Sequence, residues 1–157
     1  MVSLLDVNIL IPLVDVLHEG HAAAQQVFSG IQSYGWATCP ITENGVVRII
    51  SGTRYQNPPK SVPGVMALVR SLRSLPGHTF WPDDLSLFYT TRIAPEKLRT
   101  FNQITDAYLL AIAVANDGRF VTFDRRIMAN AISGGAQALQ IFDNKTGLPI
   151  TPPPLPK

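Results

Sequence analysis

The chain has 157 residues, 46% of them hydrophobic and only 15% charged, with a formal net charge of +2. That is the length of one domain, and a low charge fraction suits an α/β fold whose central strands are covered on both faces. So small a net charge is no argument for nucleic-acid binding. The single cysteine, Cys39, excludes an internal disulfide and reads as a buried thiol. The opening residues match neither a leader peptide nor a membrane span, so the cytoplasm is the expected location and no membrane partner is expected.

Val2, Leu4 and Leu5 read as a buried first strand that Asp6 ends, with a short helix from Asn8 to about Val16. A polar turn at His18–His21 leads into a helix over 22–34, stopped by Gly35, and a second strand over 36–39. Pro40-Ile41-Thr42 opens a helix reaching Ile50, with Thr42 as its cap. Glu43 lies three, four and seven residues before Val46, Val47 and Ile50, which puts a carboxylate on the apolar face. The segment 52–63 reads as a loop, 65–75 as a helix, 78–81 as a third strand and 82–89 as a helix entered at Pro82. A loop or short helix spans 92–102.

Thr105 to Ala115 is the strongest helix, apolar nearly all round and therefore central. Asp106 stands in its first turn, with Leu109, Leu110 and Ala113 at the same three, four and seven offsets as at Glu43. Arg119 to Thr122 is a fourth strand that Phe123-Asp124 closes. A short helix over 125–131, a turn at Ser133-Gly134-Gly135 and an edge strand over 139–142 follow. The chain divides into a domain over 1–143 and a Pro-rich tail over 144–157, read as extended and largely disordered.

Four acids share one feature. Asp6 and Asp124 lie at carboxyl ends of strands, and Glu43 and Asp106 in first turns of helices on inward faces. With right-handed crossovers in a parallel sheet, all four converge on one edge. Carboxylates that close repel one another, and a divalent cation removes the penalty. Oxygen-only ligands suit Mg²⁺, with Mn²⁺ as the alternative, and no Cys/His spacing suggests zinc. Asn8, two after Asp6, can reach the same metal or a phosphate, Thr122 can hydrogen-bond within the site, and Arg125 or Arg126 can meet a phosphate. Arg outnumbers Lys nine to four, which favours phosphate recognition. Asp15, Asp83, Asp84, Asp117 and Asp143 read as solvated turns. Each key acid also has a plainer reading: Asp6 as a helix cap, Asp124 as an Asx-turn residue, Glu43 and Asp106 as partners of a helix dipole.

The segments Leu4-Leu5-Asp6-Val7-Asn8-Ile9-Leu10, Ile41-Thr42-Glu43, Thr105-Asp106-Ala107-Tyr108-Leu109 and Thr122-Phe123-Asp124-Arg125 resemble, in order and spacing, the motifs of PIN-domain ribonucleases. Among these the chain looks most like VapC-type toxins of type II toxin–antitoxin pairs. The resemblance covers residues 2–142 and implies a three-layer α/β/α fold around a parallel sheet of four to five strands. It implies a Mg²⁺- or Mn²⁺-dependent endoribonuclease, usually a homodimer, held inactive by a cognate antitoxin protein. By position Asp6, Glu43, Asp106 and Asp124 match the metal-binding acids, and Asn8 a position that is often polar. The chemistry implied is hydrolysis of RNA by an activated water, with Asp124 or Glu43 accepting its proton and Arg48, Arg54, Arg125 and Arg126 holding the backbone. Two other functions compete: a PIN-like module that binds RNA or peptide without cutting, and a phosphohydrolase using Asp6 as nucleophile. The second normally has an acid where Asn8 stands.

Overall fold

In the computed structural model, residues 1–57, 61–88 and 91–150 are described. Five strands, β1 (Ser3–Leu5), β2 (Trp36–Thr38), β3 (His78–Phe80), β4 (Arg119–Thr122) and β5 (Leu139–Ile141), form one sheet in the order β3-β2-β1-β4-β5. Every pairing is parallel, including Leu4 with Phe120 and Leu5 with Val121. The sheet grows one way from β1 through β2 to β3 and the other way through β4 to β5. Its switch point therefore falls between β1 and β4, where open α/β sheets place their ligands.

Alternation along the strands builds the two cores. Leu4, Ala37 and Phe120 face one side, against α5 (Gln103–Ala115) and α6 (Gly135–Ala138). Leu5, Trp36 and Val121 face the other, against α1 (Val7–Val14), α2 (His21–Ile31), α3 (Pro40–Ile50) and α4 (Val62–Arg73). Trp36 is fully buried, stands edge-on to Phe28 at 5.1 Å and donates its indole N–H to Pro76 O at 3.1 Å. Both layers and the parallel sheet match the fold expected. Gly35, at φ +93°, turns the chain from α2 into β2, a conformation that a Cβ would strain.

Several local expectations need correction. Thr42 is the third residue of α3, not its cap: its hydroxyl accepts from the Cys39 amide at 3.0 Å and bonds back to Cys39 O. The helix α4 begins at Val62 rather than 65, because Ser61 caps it by accepting from the Gly64 amide and Pro63 is tolerated in a first turn. No helix forms over the described part of 82–89. Leu85 packs against the α5 core instead, and its carbonyl accepts from the Tyr108 hydroxyl at 2.6 Å. Tyr89 lies outside the described residues. Over 125–131 only a 3₁₀ turn at Ala129–Ala131 appears, held as Ala94 N–H reaches Ala131 O at 2.8 Å.

The tail expected from Asn144 is folded as far as Ile150. The chain turns at Gly147 (φ +67°), and Ile150 N–H bonds Ile141 O at 2.8 Å, covering the edge strand β5. Composition hid this, because pairing to an open strand edge satisfies backbone groups whatever the side chains are. The Pro-rich stretch 151–157 lies outside the described residues. Among the described residues no helix is long and apolar enough to cross a membrane.

Candidate acidic active site

The parallel strands and their order fix where the acids emerge. Asp6 directly follows β1, and its N–H bonds Val121 O at 3.0 Å, so it stands beside the end of β4. Asp124 lies two residues past β4. The helix α5 runs back before β4, so its N-terminal turn, which carries Asp106, reaches the same edge.

Thr122, fully buried, ties these pieces together. Its hydroxyl donates to Asp6 Oδ2 at 2.6 Å and accepts from Asn8 Nδ2 at 2.9 Å and from the Asp124 N–H at 3.0 Å. A hydroxyl has one donor and two acceptor sites, and all three are used. Asn8 accepts from the Phe123 N–H at 3.2 Å, clamping the start of α1 to the end of β4. Asn8 thus positions the site's backbone. Asp6 occupies the cap position of α1, where the Val7 and Asn8 amides favour its carboxylate without closing a full cap hydrogen bond.

The electrostatics group three acids. Burial pushes the Asp6 carboxyl up, opposed by the Thr122 hydroxyl and the amides of Val7 and Asn8, and Asp124 raises it further. Asp106 is pushed up to about 6, first by burial and then by the charges of Asp6 and Asp124. Asp124 goes the other way. Arg126 holds it below the usual carboxylate range, with Nε on Oδ1 at 3.0 Å and Nη2 on Oδ2 at 2.9 Å. The Arg126 N–H also bonds Asp124 Oδ1 at 2.8 Å, which makes Asp124 an Asx-turn residue as well as a site acid.

Glu43 stands apart in its contacts. It accepts from the Thr38 hydroxyl at 2.5 Å and pairs with Arg73 at 3.2 Å. His78 Nε2 lies 2.8 Å from the same hydroxyl. Because Thr38 spends its one proton on Glu43, His78 donates through Nε2–H. Neither Arg73 nor His78 was singled out by the sequence for this role, since nothing in their local spacing points to Glu43. Arg125 pairs with Asp143 at 2.8 Å rather than with the acids. Arg54 lines a different cavity of about 880 Å³ with Tyr55 and Asn57, and Arg48 lines both that one and a cavity of about 550 Å³ shared with Glu43 and Arg73. Beside the larger one Asp15 is buried, not solvated, and accepts from Tyr55 at 2.6 Å and from Asn57.

Three coupled carboxylates beside a single forked arginine are an oxygen donor set of the kind that hard divalent cations take. Among the described residues, no group of three or more His, Cys, Asp or Glu side chains is ready-made for an ion as it stands. Arg126 covers both oxygens of Asp124.

Residues 3–132 match the family model described as PIN domain. The chain belongs to the PIN-domain family. This PIN domain is 42% identical over 137 residues to Ribonuclease VapC44 of Mycobacterium tuberculosis, an alignment covering 87% of this chain and 96% of that protein. It is 40% identical over 139 residues to Ribonuclease VapC39 of the same organism, covering 88% of this chain and all of that protein. Ribonuclease VapC38, also from Mycobacterium tuberculosis, is 34% identical over 129 residues, covering 82% of this chain and 89% of its own length.

Proposed function

We propose that this PIN domain is a VapC-type toxin of a toxin–antitoxin pair, an endoribonuclease that hydrolyses RNA phosphodiester bonds with Mg²⁺ or Mn²⁺. The observation that carries the reading is the coupled trio Asp6, Asp106 and Asp124 at the sheet's switch point. It occurs in a chain about two-fifths identical to proteins named ribonucleases. Asp6, Asp106 and Asp124 hold the ion, and Glu43 completes the acidic set from the start of α3. A bound divalent ion supplies positive charge that lowers the pKa of water and stabilises the oxygens of the transition state. Glu43, outside the coupled trio, accepts the proton of the attacking water. Asp124 suits that task less, because in this reading its oxygens are committed to the ion. Thr122 and Asn8 fix the orientation of Asp6 and of the backbone at Asp124. Single-stranded RNA is the substrate class, since its backbone can be splayed into a cleft. The partners are a cognate antitoxin and a second copy of the chain, acting in the cytoplasm.

Attack of water in line with the 3′ oxygen breaks the P–O3′ bond without a ribose 2′-hydroxyl, and the 3′ oxygen leaves and is protonated from solvent, so the products carry 5′-phosphate and 3′-hydroxyl ends. End-group analysis finding a 2′,3′-cyclic phosphate contradicts this mechanism.

Metal binding also follows pH in a defined direction. Asp106, protonated below about 6 in the metal-free protein, must lose that proton to bind an ion. Mn²⁺ affinity therefore weakens by up to about tenfold per pH unit below that value and levels off above it. Calorimetric titration at acidic, intermediate and slightly basic pH checks this, and a flat profile contradicts it.

A further inference from the structure

Two arginines fork an acid of the site, Arg73 on Glu43 and Arg126 on Asp124, and Arg126 is much the more exposed. Its side chain is 88% exposed, yet its guanidinium turns inward onto an acid of the site. Both oxygens of Asp124 are taken, Oδ1 by Nε at 3.0 Å and Oδ2 by Nη2 at 2.9 Å. The fork takes one lone pair on each oxygen and the Arg126 N–H takes the second on Oδ1, which leaves a single open position, on Oδ2, beside the guanidinium's own charge. The charge also reaches further, since Arg126 opposes the rise of the Asp106 carboxyl. One guanidinium thus neutralises part of the repulsion among the three acids.

We propose that Arg126 is a built-in stand-in for the divalent cation, which must release Asp124 for the ion to bind and is then free to hold an RNA phosphate. The inference rests on the reading of Asp6, Asp106 and Asp124 as metal ligands. The local structure suits an exchange. An 88% exposed side chain is not fixed by packing, so its release disturbs little of the core. The turn itself survives, because the Arg126 N–H holds Asp124 Oδ1 at 2.8 Å and the Asp124 N–H holds Thr122 at 3.0 Å without the guanidinium. Arrival of a cation adds repulsion on the guanidinium, and an RNA phosphate supplies a replacement partner with two oxygens that a guanidinium can take in bidentate fashion. Metal binding and RNA binding are coupled through one side chain. Arg125, next in sequence, is not equivalent, because its guanidinium is committed to Asp143 at 2.8 Å.

The test is Mn²⁺ titration of the full chain, by calorimetry, for the wild type, Arg126→Ala, Arg126→Lys and Arg125→Ala. Metal-free melting curves show that each variant is folded. Arg126→Ala binds Mn²⁺ about two- to fivefold more tightly, as expected for loss of an exposed competing ion pair. Arg126→Lys keeps the charge but not the fork and falls between Ala and wild type. Arg125→Ala titrates as wild type. Equal or weaker binding by Arg126→Ala overturns the proposal. So does an Arg126→Lys variant indistinguishable from wild type, because the effect is then charge alone. If wild type binds Mn²⁺ and the variants match it, only the stand-in role falls. If neither wild type nor any variant binds, the metal reading falls with it.

Discussion

Asp106→Asn is expected to raise the melting temperature of the metal-free protein at neutral pH while removing its nuclease activity. A carboxylate whose folded pKa is about 6, above its ordinary 3.8, ionises more readily in the unfolded chain. The folded state is therefore favoured below pH 3.8 and loses that advantage as pH rises towards 6. Above that range ionised Asp106 is a standing cost, set by burial and by its neighbours Asp6 and Asp124. Asparagine keeps the shape and removes the charge. The full shift corresponds to about 3 kcal/mol, but Asp106 is only partly buried and solvent screening reduces this to about 1 kcal/mol. That is about 2–4 °C for a chain of this size. The same change deletes a metal ligand and lowers RNA cleavage at least about 100-fold. Thermal melts at pH 4 and pH 7.5 check the sign: the variant gains at the higher pH and converges with wild type at the lower. A variant less stable than wild type at pH 7.5 contradicts the account.

The second large effect falls on a residue with no charge. Thr122→Val keeps the branched shape but leaves Asp6 Oδ2, Asn8 Nδ2 and the Asp124 N–H without their shared partner. Each buried group stripped of its hydrogen bond costs about 1–3 kcal/mol, and relaxation of the exposed side of the site limits the sum to about 3 kcal/mol. The melting temperature falls by about 6–12 °C. Cleavage falls as well, because the Thr122 hydroxyl is the strongest influence favouring ionised Asp6. Thr122→Ser restores the hydroxyl and recovers most of both. Denaturant melts and cleavage rates of the two variants decide the matter. A Val variant as stable and active as wild type removes Thr122 from the positioning role.

The architecture was largely written in short patterns. Leu4-Leu5, Phe120-Val121 and the all-round apolar Leu109–Ala113 demand burial on two faces, which a parallel sheet between helices supplies. The positions of Asp6 and Asp124 followed from strand ends. What stayed hidden depended on side-chain reach across elements. The sequence places Glu43 on an apolar helix face, but only the fold brings Arg73 of α4 and Thr38 of β2 to it. Arg125 and Arg126 are identical in type and adjacent, and the Asx turn alone decides that the second faces Asp124. Asp15 looked like a turn residue because its partners Tyr55 and Asn57 arrive from a distant loop. The backbone pairing of Ile150 with Ile141 leaves no mark in composition at all.

The most direct test of the central claim is cleavage of a structured RNA pool by the purified protein with Mg²⁺, with Mn²⁺ and with EDTA, beside Asp6→Asn. Cutting that needs the ion, stops in EDTA and is lost in the variant is the predicted result. Cutting that persists in EDTA and in Asp6→Asn would contradict the acidic site as the seat of catalysis.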